Sequence, residues 1–191
     1  LNTVDSVEAK LHRSMSEIDA ALWREYFGDG DPFLSWDFLH GLEASGCTTT
    51  ESGWQPAHLS FELSGELAGM MPTYLKTHSY GEYVFDWSWA DAWQRMGLQY
   101  YPKLVTAVPF TPATGKRFGH VDHHNIRAPG IVEAVKRLTD SLGVSSWHVL
   151  FLDEASSKQL CDCDMPQRLT TQFHWFNHRY RDFQDFLDRF S

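Results

Sequence analysis

The segment from Asp86 to Lys103 gathers residue types able to move protons: Asp86, Asp91, Arg95, Tyr100, Tyr101 and Lys103, interleaved with Trp87 and Trp89. Its start reads as a junction between a strand and a helix, and side chains at such junctions point into the cleft outside strand ends. A carboxylate there can take a proton from an attacking group, directly or through a water, which is the work of a general base. Asp86 is therefore the first candidate for a catalytic base, and Tyr101 for a proton donor to the leaving group. Trp87, Trp89, Arg95, Tyr100 and Lys103 are candidates for holding a substrate. A structural reading stands beside this one, in which Asp86 or Ser88 caps the helix and the Trp rings are core; the two are compatible.

A second group is the loop Thr111-Pro112-Ala113-Thr114-Gly115-Lys116-Arg117. A strand end followed by Gly and free backbone amides can hold a pyrophosphate, and Lys116 and Arg117 would add charge. The alternative is a turn whose Thr and Pro residues only shape the backbone. Polar residues separate Gly115 and Gly119 from the next helix, so the loop does not run straight into a helix N-terminus.

His120-x-Asp122-His123-His124 contains ordinary zinc ligands, but adjacent histidines on a loop rarely converge on one ion, and no metal is assigned. Cys161-Asp162-Cys163 lacks a second ligand pair of zinc spacing and is read as incidental. His174 lies in the alternating run Thr171 to Trp175, on the face opposite Phe173 and Trp175, either lining a polar sheet face near a cleft or serving as a structural histidine.

The elements that would position these residues follow from periodicity. Val7, Ala9 and Leu11 alternate with polar residues, which predicts a strand. Helical spacing predicts helices over Ile18–Phe27 and Leu34–Ala44, stopped by Gly28 and Gly46. Leu59 to Leu63 and Leu67 to Leu75 form a hairpin around Ser64-Gly65, with 47–57 a loop before it. Tyr83-Val84-Phe85 reads as a short strand, with Ser88 and Asp91 as a capping box for a helix ended by Gly97. A strand spans Leu104–Phe110, and 111–129 is irregular. Ile131, Val135, Leu138 and Leu142 mark a helix ended by Gly143, and Trp147–Leu152 reads as a central strand buried on both faces. A helix around Ser156–Leu160, a strand over Thr170–Phe176 and a helical face of Phe183, Phe186, Leu187 and Phe190 complete the order. Strand segments between 59 and 110 are expected to splay at their tips, opening a slot walled by aromatic rings and facing Asp86 and Tyr101.

Composition narrows the class. The chain has 191 residues, 42% hydrophobic, with 8 Trp, 13 Phe and 7 Tyr, enough for one sizeable core. With 16 Lys plus Arg against 25 Asp plus Glu the formal charge is -9, a mean field that repels nucleic acid and anionic membrane surfaces. Three cysteines imply no disulfide framework, and no run of about 18 apolar residues predicts a membrane span, so a cytoplasmic location is expected.

Several strings together resemble a known family: Pro32-Phe33-Leu34-Ser35-Trp36-Asp37-Phe38-Leu39, Tyr80-Gly81-Glu82-Tyr83-Val84-Phe85-Asp86-Trp87-Ser88-Trp89, Tyr100-Tyr101-Pro102-Lys103-Leu104, the Val108 to Arg117 segment, and Gln172-Phe173-His174-Trp175 with Asn177. They resemble the GNAT superfamily and, within it, the Fem-like proteins of peptidoglycan biosynthesis and recognition. The resemblance implies an α/β fold with a mixed, mostly antiparallel central sheet and helices on both faces. It implies that 1–181 is the first of two tandem GNAT-like domains, with 182–191 starting a helix toward the second half. It further implies transfer of an acyl group from acyl-CoA, such as acetyl-CoA, to an amine on a small molecule or peptide, including a cell-wall precursor. Thr111, Thr114, Gly115, Lys116 and Arg117 would then contact the CoA phosphates, Asp86 would deprotonate the amine and Tyr101 protonate the thiolate. Trp36 and His174, from matching strings, join the substrate-binding candidates. The loop departs from the usual GNAT phosphate signature, which keeps a second reading open: a recognition half that binds ligand in an aromatic cleft without doing chemistry. A third, an assembly module, draws on the Phe stripe at 183–190.

Overall fold

The computed structural model describes residues 6–120 and 126–190. Alternation at the start produces strand β1 (Val7–His12), which pairs antiparallel with β3 (His58–Leu63). A turn at Ser64-Gly65, both with positive φ, returns the chain as β4 (Glu66–Met71), and β7 (Gly119–His120) pairs onto β4. This first sheet has the order β1-β3-β4-β7 and is antiparallel throughout.

The return strand expected as one piece from Leu67 to Leu75 breaks at Pro72, which has no N–H for a ladder. Beyond it, β5 (Thr73–Lys76) belongs to a second sheet, with β2 (Trp54–Pro56), β6 (Lys103–Thr106) and β8 (Trp147–Val149) in the order β2-β5-β6-β8. In this sheet β6 and β8 pair in parallel and the other neighbours antiparallel. Two expectations are corrected here. The loop predicted for 47–57 contains β2, and the run 147–152, expected to be a central strand, is a half-buried edge strand only three residues long.

Helices α1 (Ala20–Phe27) and α2 (Trp36–Ala44) begin where Asp19 and Ser35 accept N–H bonds from Leu22 and Phe38. They bury Trp23, Tyr26, Phe27 and Leu39 against Met70 and Val108. On a second core, α4 (Ala128–Leu142) sets Ile131, Ala134 and Val135 against Val7, Leu59, Phe61 and Met71. Each such large apolar side chain contributes about 1.5–3 kcal/mol by leaving water. A third core of Trp54, Tyr74, Val105, Ala107 and Leu150 underlies the second sheet. Helix α3 (Trp87–Arg95) and helix α5 (Glu154–Cys161) bury no residue, and α6 (Phe183–Leu187) is likewise exposed. Among the described residues, no helix is long and apolar enough to cross a membrane.

The strand expected over Thr170–Phe176 is irregular, exposed chain: among the described residues its apolar alternation has no neighbouring strand to pair with. Tyr83-Val84-Phe85 is not a strand either, because Tyr83 and Phe85 take φ of 59° and 50°. Ser88 does not cap α3; Asp86 holds the N-cap position, without a side-chain cap bond.

Candidate functional site

Strand register assembles the site. Across β5 and β6, Lys76 stands opposite Lys103, and across β2 and β5, Trp54 stands opposite Lys76. Side chains at i and i+2 share a sheet face, so Trp54, Tyr74, Lys76, Lys103 and Val105 line one face of the second sheet, joined by His148 opposite Val105. The chain from Ser79 to Asp86 folds over this face. Its left-handed residues, Gly81, Tyr83 and Phe85, reverse the backbone so that Glu82 and Asp86 reach inward while the rings of Tyr80, Tyr83 and Phe85 remain exposed.

At the centre, the fully buried Lys103 Nζ donates to Ser79 Oγ at 3.1 Å, Glu82 Oε2 at 2.9 Å and Asp86 Oδ2 at 2.6 Å. An ammonium has three N–H donors, so Lys103 is saturated and has no lone pair to offer. Tyr100 donates to the same Asp86 Oδ2 at 2.6 Å, and the Tyr101 and Ser79 hydroxyls lie 2.7 Å apart. Lys76 is differently placed: its Nζ donates to the Tyr80 carbonyl at 3.2 Å and lies 3.7 Å from the Trp54 ring centroid. Among the described residues, Glu82 Oε1 and Asp86 Oδ1 are buried without a hydrogen-bond partner.

The electrostatics divide these groups. Burial alone would raise the Asp86 pKa, but hydrogen bonds from Lys103, Ser79 and Tyr100 outweigh it and hold the carboxylate at about 2. Glu82 is raised by burial, only partly offset by Lys103. Lys76 is lowered to about 7, chiefly by burial, with the Lys103 charge acting in the same sense against Glu82 and Asp86. Burial raises both Tyr100 and Tyr101, so each phenol keeps its proton at neutral pH, and burial lowers His148 to about 4.

Of the residues expected to act together, Asp86, Tyr100, Tyr101 and Lys103 converge, with Trp87 and Trp89 exposed beside them on α3. The geometry argues against Asp86 as the proton acceptor, because Oδ2 already takes two donors and the carboxylate is strongly acidic. The open slot is also corrected: Asp86 is 2% exposed, because the Ser79–Asp86 segment closes over the face that carries Lys76 and Lys103 and pairs its carboxylates there. Hollows of about 290 and 340 Å³ lie at the β3–β4 hairpin tip and beside Trp175 and Phe183, away from Asp86. Arg95 is an exposed partner of Asp91 on α3. Trp36 belongs to the α1–α2 core, its indole N–H bonded to the Met15 and Ile18 carbonyls. His174 is exposed and lies near Gln172.

In the 111–117 loop, Arg117 is buried and its guanidinium donates to the carbonyls of Leu150, Lys116 and Ala113. That commits the charge expected to meet a phosphate. The Gly115 N–H donates to Phe151 O and Thr111 Oγ1 donates to Pro109 O, leaving Thr114 and Lys116 as the exposed members of the expected phosphate contacts. Asp122, His123 and His124 lie outside the described residues. Among the described residues, no group of three His, Cys, Asp or Glu is placed to hold a metal. Sequence reasoning missed Lys76, Ser79 and Glu82. The available signal was a lysine closing an apolar strand, Tyr74-Leu75-Lys76, but its position opposite Lys103 depends on register.

The fold is thus of the mixed α/β class in which antiparallel pairing dominates, with α1, α2 and α4 packed against the first sheet. A family model described as FemAB-like, peptidoglycan biosynthesis/recognition, matches residues 14–191, and the chain belongs to that family. No curated protein is significantly similar. A solved structure described as a possible acetyltransferase from Clostridium difficile 630 aligns with 90% of this chain and 97% of its own, at 9% identity and a TM-score of 0.44.

Proposed function

We propose that the protein is an N-acyltransferase, moving an acyl group from a thioester such as acetyl-CoA to an amine on a cell-wall precursor at the covered face of the second sheet. Membership of a peptidoglycan biosynthesis/recognition family supports this reading. The observation that carries it is Lys103, a buried ammonium with all three donors engaged beneath a shelf of exposed aromatic rings. Burying ionisable groups on a sheet face costs stability that apolar side chains would not, and a cost of that kind is found where function requires it. Lys103 would oppose the charge that grows on the acyl oxygen, and the Tyr101 phenol, which holds its proton at neutral pH, would protonate the thiolate. Substrate entry requires the Tyr80–Phe85 stretch to lift. Trp87 and Trp89 would hold substrate, and Lys116 and Thr114 remain for the donor's phosphates. We place this activity in the cytoplasm, consistent with the free thiols Cys47, Cys161 and Cys163, and place a second GNAT-like half beside the exposed Phe183 and Phe190.

One observation favours a second reading, a recognition half without chemistry: Arg117 and the Gly115 amide are already bonded within the protein. Incubation with acetyl-CoA and a panel of amines, including diamino-acid peptides, separates the two. Thiol release that depends on the amine supports acyl transfer. Saturable peptide binding without thiol release supports recognition alone.

A further inference from the structure

We propose that Lys76 gives up its proton far more readily than an ordinary lysine in the folded protein and is the site's proton acceptor, while its cross-strand neighbour Lys103 is the fixed cation. The chemical role rests on the acyl-transfer reading; the protonation assignment does not.

Two lysines directly opposite on one sheet face repel if both are charged. The groups facing Lys76 are Lys103 from β6, the Trp54 ring from β2, and His78, Tyr80, Glu82 and Asp86 from the chain that follows β5. Glu82 and Asp86 both form ion pairs with Lys103, at 2.9 and 2.6 Å. Among the described residues Lys76 has no carboxylate within ion-pair distance; its amine donates to one carbonyl oxygen and lies over the Trp54 ring, a cation–π contact worth less than a direct ion pair. A buried ammonium so poorly compensated is costlier than a neutral amine, whereas Lys103 as an amine would strand two carboxylates. The proton therefore leaves Lys76 more readily than Lys103, and the downward shift of its pKa agrees with this placement. The orphaned Glu82 Oε1 gives a proton on this face a second resting place.

A neutral amine beside a fixed cation is suited to acyl transfer. The acceptor nitrogen would attack the thioester carbonyl carbon, forming the C–N bond as its proton passes to the Lys76 lone pair. The C–S bond breaks with its electron pair on sulfur, and Tyr101 gives the thiolate its proton. The Lys76 ammonium then returns a proton to the Tyr101 phenolate, restoring both groups. Lys76 completes the balance that Asp86, already engaged by two donors, leaves open.

The test is NMR titration of the chain carrying lysine labelled at the ε position. The Trp54 ring current marks the Lys76 resonance in the unmodified protein, so assignment does not depend on a variant folding. The expected result is a Lys76 midpoint near 7, against the ordinary lysine value of 10.5. A Lys76 midpoint above about 9 overturns the assignment. A midpoint near 7 without acyl transfer to any amine retains the protonation assignment and rejects the acyl-transfer reading. Where transfer occurs, Lys76→Gln is expected to lower kcat at least 100-fold at pH 7.5 and to remove the limb of the pH–rate profile near 7; an unchanged profile overturns the catalytic role.

Discussion

Lys76 and Lys103 face each other across β5 and β6, yet the carboxylates of Glu82 and Asp86 both bond to Lys103. This asymmetry between two identical residues, one compensated and one not, organises the site and its expected responses to mutation.

Lys103→Met removes the charge that two buried carboxylates share. Breaking a buried pair from one side costs about 3–5 kcal/mol, and urea unfolding should show a loss of that size. Lys76→Met exchanges a weakly compensated amine for an apolar chain of similar length and should cost less than about 1 kcal/mol. Equal losses would mean that the two lysines are equivalent.

The pH dependence of stability carries the signature of Lys76. Its folded pKa, about 7, lies below the unfolded value of 10.5, so between those values the unfolded chain binds more protons and stability rises with pH. The contribution is fully present above the unfolded value and lost as pH falls through 7. The wild type should therefore gain stability relative to Lys76→Met between about pH 7 and 9, measured by denaturant midpoints. Asp86 behaves similarly in acid: its contribution is present above 3.8 and lost as pH falls toward 2.

Arg117 ties the 113–117 loop to the chain end of the second sheet through Ala113 O at 2.5 Å and Leu150 O at 2.9 Å. Arg117→Met should destabilise by about 1–3 kcal/mol, because the buried Leu150 carbonyl left without a donor costs roughly that much. Lys116→Ala, at an exposed position, should leave the thermal midpoint unchanged and weaken any affinity for acetyl-CoA.

Trp87 and Trp89 are more than half exposed, at 53% and 55%, on a helix with no buried residue. Replacing either by Ala should change stability by less than about 0.5 kcal/mol while weakening binding of an amine-bearing peptide about tenfold. Isothermal titration and thermal melts on the same preparations measure both. A loss of stability without loss of binding would make these rings structural.

Local patterns made much of the fold legible. The β1 alternation, the β3–β4 hairpin at Ser64-Gly65 and the α4 stripe ended by Gly143 all appear where periodicity and turn chemistry predict them. Strands β2 and β7 have three and two residues, too few to show a period. Tyr83-Val84-Phe85 has strand composition, but its backbone instead turns Glu82 and Asp86 toward Lys103. Convergence of Asp86, Tyr100, Tyr101 and Lys103 was readable from their proximity in the chain. The partnership of Lys76 with that cluster arises from the pairing of β5 with β6, which no local pattern encodes.

The central claim is that substrate meets the protein at the covered face of the second sheet. Chemical-shift mapping during titration with acetyl-CoA tests it most directly. The account predicts perturbations concentrated at the backbone of Tyr80–Asp86 and the indoles of Trp54, Trp87 and Trp89. Perturbations confined to the aromatic segment around Trp175 and Phe183, or none at saturating ligand, would contradict it.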